Sequence, residues 1–282
     1  MRQHDCIQTH TAARFISVTN ESQVQIAVIT GATGGLGTQF CWQLAEQGYH
    51  LLIIDREQQA LDKLAEEIAS KFDVAVDTQC VNLVDEAAVK PLAQHLESLP
   101  GLSLLVNNAG FGQSKYFVDI DVENHVDMVN LHVHTPVRLC HAVLPGMIQR
   151  DRGAIINVAS LSAWTPCAGV VQYSATKQYL VAFSEGVKEE LKGTQVKIQA
   201  LCPAFVKTGF FDTEIMGSFN EKHVPRWLWI KPDEVVRCSL KRLHQVIVIP
   251  GLACRILGRL MRMPAAQPIV RRLATNKRLT RE

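Results

Sequence analysis

A doubly wound parallel α/β sheet, with helices on both faces, is the fold class this sequence predicts, and three observations predict it. Short apolar runs without charge, rich in Val, Ile and Leu, recur along the chain and read as strands buried on both faces. Segments with apolar residues at helical spacing alternate with them. The first run, Val24 to Thr30, passes straight into Gly31-Ala32-Thr33-Gly34-Gly35-Leu36-Gly37 and then into a predicted helix from Thr38 to Gln47. A glycine turn between strand and helix lets backbone N–H groups and the positive end of the helix dipole approach a pyrophosphate.

The remaining elements follow in order. His50 to Asp55 reads as the second strand, and Asp55 at its end lies 24 residues beyond Gly31, where a carboxylate accepts hydrogen bonds from adenosine ribose hydroxyls. That carboxylate repels a 2′-phosphate and favours NAD, whereas the guanidinium of Arg56 makes NADP possible. Glu57 to Lys71 has a helical stripe of Leu61, Leu64 and Ile68, and Val74 to Val81 is the third strand, followed by Asn82 and Leu83. Asp85 to Leu99 is a helix with acid near its start. Leu102 to Val106 is the fourth strand, ending in Asn107-Asn108-Ala109-Gly110.

Phe117 to Arg150 reads as one long helical region broken near Pro136 and Pro145. Asn130 lies within it among apolar residues, either capping a kink or holding a water behind Lys177. His125, His132, His134 and His141 lack the spacing of a metal site and read as structural or surface residues. Ala154 to Val158 is a strand with Ser160 just beyond it, and Val171 to Leu191 is a helix with Tyr173 and Lys177 four apart on one face. Phenols ionise near pH 10 in water, and an ammonium alongside favours the phenolate. A hydroxyl at a strand end facing such a pair makes a proton-transfer constellation for a carbonyl or an alcohol. Taken alone, Tyr-x-x-x-Lys is more often a packed ring and a solvated amine; here the glycine turn and the other strand ends share its edge of the sheet.

Val196 to Leu201 is the sixth strand, leading to Pro203, Val206 and Thr208. Residues 209–230 form an irregular apolar segment, read as a substrate-side lid rather than ordinary packing. A helix from Pro232 to about Leu243 and a last strand from Val246 to Ile249 complete the sheet. Beyond Gly251 the chain is basic, and Arg255, Arg259 and Arg262 alternate with Ile256, Leu257, Leu260 and Met261. This tail over residues 251–282 is a solvated or dimer-forming face, or an amphipathic helix in weak contact with an anionic membrane surface. Residues 1–23 are polar, without period, and read as an extension before the fold at 24–250.

Composition narrows the function classes. The 282 residues suffice for one large α/β domain, and a formal charge of +2 gives no field that points to nucleic acid. The eight cysteines show neither metal-finger nor redox-pair spacing, which fits a reducing cytoplasm. The first residues lack an apolar signal core, and no apolar run is long enough to span a bilayer. The expected location is cytoplasmic, with the tail at most peripheral to the inner membrane surface.

Taken together, Thr30-Gly31-x-x-x-Gly35-x-Gly37, Asn107-Asn108-Ala109-Gly110, Asn130, Ser160, Tyr173-x-x-x-Lys177, and Pro203 with Thr208 make the chain resemble the short single-domain branch of the short-chain dehydrogenase/reductase superfamily. The resemblance spans roughly residues 24–250; the carboxyl end is similar to a poorly characterised bacterial subgroup of oxidoreductases. It implies a Rossmann-type sheet of seven strands and a catalytic tetrad. Tyr173 is its acid/base, Ser160 orients the substrate oxygen, Lys177 lowers the phenol pKa and binds the nicotinamide ribose, and Asn130 holds a relay water. It also implies cofactor contacts from Thr30, Gly31, Thr33, Gly35, Leu36, Gly37, Asp55 and Arg56, and from Asn82, Leu83, Asn108, Ala109 and Gly110. Tyr173, Lys177, Pro203, Val206 and Thr208 complete that set. No metal is implied, and a homodimer or homotetramer is. Asn82 departs from an expected Asp, and Ala204 from an expected Gly. The expected activity is NAD(P)-dependent hydride transfer between nicotinamide and a small hydrophobic secondary alcohol or ketone. The alternatives are an NADPH-linked 3-oxoacyl-thioester reductase and a non-catalytic dinucleotide sensor or scaffold.

Overall fold

The computed structural model describes residues 24–211 and 224–263, together with Met216, Ala265 and Pro268. The expected extension over residues 1–23, most of the tail beyond residue 263 and part of the 209–230 segment lie outside the described residues.

Seven parallel strands form the main sheet: β1 (Ile26–Thr30), β2 (His50–Asp55), β3 (Val76–Cys80), β4 (Leu102–Asn107), β5 (Ala154–Val158), β6 (Lys197–Leu201) and, numbered after a short pair, β9 (Ile247–Val248). Their order is β3-β2-β1-β4-β5-β6-β9. Strand order therefore reverses between β1 and β4, and the carboxyl ends beside that reversal are where an open α/β sheet binds its ligand. The short pair, β7 (Phe205–Val206) and β8 (Trp229–Ile230), runs parallel and brings both ends of the 209–230 segment together; no periodicity announced it.

Alternation along the strands divides the core. Ala27 and Ile29 join Leu51, Ile53, Leu104 and Ile156 under one helical layer, whereas Ile26 and Val28 join Leu52, Leu105 and Ile155 under the other. The first layer includes α1 (Gly35–Glu46) against the sheet, and the second includes α3 (Glu86–Ser98), α5 (Thr135–Gln149) and α6 (Val171–Glu190), the Asn157 side chain meeting both Cys140 of α5 and Ser184 of α6. Helices α2 (Gln58–Ala69), α7 (Pro232–Lys241) and α8 (Leu252–Arg262) complete the helical shell.

The region expected as one helix with breaks at two prolines differs. It comprises a 3₁₀ turn at Phe117–Asp119, α4 (Val122–Val129), a π-helical turn at Asn130–His134, and α5. Pro145 lies inside α5 without ending it, and Pro136 sits in the first turn. Proline has no N–H, so the carbonyl of His132 loses its ordinary i+4 donor. The ladder loosens immediately before, where the Thr135 N–H bonds back to the Asn130 carbonyl, five residues away. That inserted residue turns the face of the helix, with consequences for the site.

Candidate active site

The ends of β1 and β4 are stitched by short polar groups. Thr30 Oγ1 accepts from the N–H groups of Asn108 and Ala109 at 3.0 and 3.1 Å, and Asn108 Nδ2 donates to the carbonyls of Thr30 and Gly31 at 3.0 and 2.9 Å. Gly31 has φ +64°, and a Cβ there would sit 2.7 Å from Ala109 Cα. At Gly37 a Cβ would lie 2.0 Å from the Gly31 carbonyl oxygen. Helix α1 starts at Gly35 with no side-chain cap and no acid in its first turn. Its N-terminus, with Leu36 in the first turn, keeps its positive end for an anion. These features fit a dinucleotide pyrophosphate.

Asp55, at the end of β2, faces this loop. Its Oδ2 accepts from the Thr33 N–H at 3.0 Å and the Thr33 hydroxyl at 2.7 Å, while Oδ1 takes the Arg56 N–H at 2.8 Å. The Arg56 side chain is exposed. Asn82 is exposed in the turn after β3, and neighbouring Leu83 is buried, its carbonyl accepting the Thr135 hydroxyl at 2.7 Å. Thr208 packs on the glycine loop, so that a Cβ at Gly35 would meet Thr208 Cγ2 at 2.4 Å. Val206 is buried in the β7–β8 pair, and the Pro203 carbonyl accepts the Leu161 N–H at 2.9 Å, fixing the turn after Ser160.

Ser160 follows β5 and caps a 3₁₀ turn; its Oγ accepts the Ser162 N–H at 3.2 Å and the Ser162 hydroxyl at 2.9 Å. Tyr173 and Lys177 lie one turn apart on α6, with Lys177 Nζ 5.6 Å from the centre of the Tyr173 ring. Lys177 is buried and donates to the Val158 carbonyl at 2.8 Å. Burial pushes its pKa down to about 7. An ammonium near its titration point responds to any anion or dipole brought beside it. The 209–230 segment does reach the site. Phe210 lies 6.0 Å, centre to centre, from Tyr173, and both Phe210 and Met216 close on Gly112.

Asn130 opens the π-helical turn, at the kink, and lines a small surface crevice with Val84, Glu86, His134 and Arg138. The position facing Lys177 belongs to His132, read from the sequence as structural or surface. His132 is buried, its ring edge-on to Tyr173 at 5.9 Å, and a Cβ at Gly110 would lie 2.7 Å from His132 Nε2 and 3.5 Å from Lys177 Nζ. Burial, and then the Lys177 charge, hold its imidazole well below the ordinary histidine value. The signal that could have found it is Pro136. A proline four residues after His132 breaks the regular ladder, and counting helical faces across that point is unsafe.

A family model described as short chain dehydrogenase matches residues 25–216. The chain is 34% identical over 232 residues to the very-long-chain 3-oxoacyl-CoA reductase of Laccaria bicolor, covering 81% of this chain and 64% of that protein. It thus spans just under two thirds of that relative's length. A short-chain dehydrogenase from Sphingobium yanoikuyae in complex with NADPH superposes with a TM-score of 0.76 at 27% identity, covering 86% of this chain and 98% of the other. The bulky-bulky ketone specific alcohol dehydrogenase from Comamonas testosteroni superposes at 0.72 with 25% identity, covering 87% and 93%. The chain belongs to the short-chain dehydrogenase family.

Proposed function

We propose that the protein interconverts the keto and hydroxyl groups of a hydrophobic 3-oxoacyl thioester. The single observation that carries this reading is the Phe210 ring beside Tyr173, continued by Met216 where both close on Gly112. It would seat an acyl chain with its carbonyl at the phenol, and the Laccaria relative's name agrees. Lys207, exposed next to Thr208, is available to a phosphate-bearing carrier. A bound nicotinamide supplies the hydride. The chain's own residues do the rest. Tyr173 delivers or removes the proton, Ser160 donates to the same oxygen, and Lys177 favours the phenolate. The loop from Gly31 to Gly37 and the α1 N-terminus hold the pyrophosphate. Asp55 meets the adenosine ribose and favours NADH, while Arg56 admits NADPH.

The test is consumption of NADH and of NADPH by the purified full chain with 3-oxoacyl thioesters of increasing length. Rising kcat/KM with chain length supports the reading. Turnover of bulky ketones alone would replace it with the second reading, favoured by the Comamonas neighbour, of a hydrophobic ketone reductase.

Two finer features belong to the same proposal. Helix α8 turns Cys254, Gly258 and Met261 inward and leaves Leu252 and Ile256 70% and 54% exposed, with Leu260 and Met263 on the same outer stripe. Arg255 and Arg259 flank it, which suits a peripheral contact with an anionic membrane on the cytoplasmic side. Among the described residues no helix is long and apolar enough to cross a membrane. Pelleting with anionic but not neutral vesicles, lost in the Ile256→Ser/Leu260→Ser double variant, supports the contact; no pelleting with either removes it. Exposed Val122 and Val126 on α4, with Val171 and Tyr179 on α6, offer a face for self-association, checked by light scattering.

A further inference from the structure

We propose that His132 is a positioning residue of the active site. Its neutral imidazole clamps the loop after β4 to helix α6, and so sets the cofactor-binding backbone against Tyr173 and Lys177. The hydrogen bonds fix a single protonation state. The Phe111 N–H can only donate, and it points at His132 Nε2 from 3.1 Å, so Nε2 carries no proton. The proton is therefore on Nδ1, which donates to Thr176 Oγ1 at 3.0 Å. The Thr176 hydroxyl in turn donates to the Tyr173 carbonyl at 3.0 Å. One ring thus joins Phe111, next to Gly110, to the turn of helix between Tyr173 and Lys177.

The ring meets Phe111 in the loop after β4 and Thr176 and Tyr173 on α6. The charged or titratable groups facing it come from α6: the Lys177 ammonium and the Tyr173 phenol. The β4 loop facing it, residues 108–114, contains no titratable side chain. A second proton on the ring would break the bond from Phe111 and place an imidazolium beside Lys177. With Nε2 taken by Phe111 and Nδ1 by buried Thr176, the ring has no open route to solvent, so it holds groups in place rather than carrying protons. The π-helical turn at Asn130–His134 is what aims the ring inward, and such bulges recur at functional sites.

This inference rests on the reading of Tyr173 and Lys177 as the reacting pair. The experiment compares wild type with His132→Leu, His132→Gln and Thr176→Val, measuring kcat, KM, NAD(P)H dissociation constants and the pH profile of kcat/KM. Glutamine keeps an acceptor and a donor on one side chain but takes no proton in this range. Expected are a fall in kcat of about ten-fold or more in His132→Leu and Thr176→Val, recovery to within about three-fold in His132→Gln, and loss of the acid limb in both His132 variants but not in Thr176→Val. If His132→Leu lowers Tm but leaves kcat and the pH profile unchanged, the ring is ordinary packing and the proposal fails. It also fails if folded His132→Gln is as slow as His132→Leu. Should His132→Leu not fold, Thr176→Val and His132→Gln still decide. If wild type turns over no carbonyl substrate, the reading of the reacting pair has failed instead, and the dissociation constants still test the clamp.

Discussion

The two halves of the site are built differently. The cofactor half, at the ends of β1, β2 and β4, is made of backbone and short side chains, with glycines where a Cβ would collide at 2.0 to 2.7 Å. The catalytic half, from the π-helical turn through α6, is made of long side chains, buried His132 and Lys177 and half-buried Tyr173, held by ring packing and single hydrogen bonds. Backbone constraints leave a fixed spacing in sequence. Side-chain placement depends on helix phase, which one bulge can shift. The first half should therefore fail abruptly on substitution, and the second by degrees.

The largest expected effect lies in the cofactor half. Gly37→Ala forces a methyl onto the Gly31 carbonyl, so NAD(P)H binding weakens by about a hundred-fold or more with a loss of stability of about 1–3 kcal/mol; fluorescence titration and thermal melts check both. Retained binding would mean the loop is softer than its geometry implies. Next is Arg56→Ala, which should weaken NADPH by about ten-fold or more, the worth of a charge-assisted phosphate contact, and leave NADH nearly unchanged. Equal losses for both would place Arg56 away from the 2′ position.

The pH dependence tests the catalytic half. The folded-state value of His132 lies well below that of an unfolded histidine, near 6.5. Between those two values the unfolded chain binds the extra proton. The stability from this group is thus complete above about pH 6.5 and declines as pH falls toward the folded-state value. The slope is at most about 1.4 kcal/mol per pH unit. Tm against pH should be flatter on the acid side in His132→Gln than in wild type; parallel curves would contradict the neutral clamp. The smallest expected effect is Asn130→Ala, within about two-fold of wild-type kcat, because Asn130 lines a crevice beside Glu86 and Arg138. A large loss there would place the amide in the catalytic set and break the contrast with His132.

How much the sequence disclosed follows the same division. The seven-stranded parallel sheet, the glycine turn, Asp55 and the Tyr173–Lys177 pair were legible, because strand alternation, a helix start and a four-residue helical spacing each have a fixed period. The inward aim of His132 was not legible, because a period of 3.6 residues does not hold across the Asn130–His134 turn, where the bond spans five. The β7–β8 pair escaped because two-residue strands carry no period. The approach of Phe210 to Tyr173 was legible only as greasiness, since nothing local in 209–230 specifies its partner.

The most direct measurement of the central claim pairs two readouts on Tyr173→Phe: NAD(P)H consumption with a long-chain 3-oxoacyl thioester, and NAD(P)H binding by titration. Loss of the phenolic proton should lower kcat by about a hundred- to ten-thousand-fold while the cofactor dissociation constant stays within about three-fold. Turnover that survives in this variant would contradict the account, because the proton would then come from a group other than Tyr173.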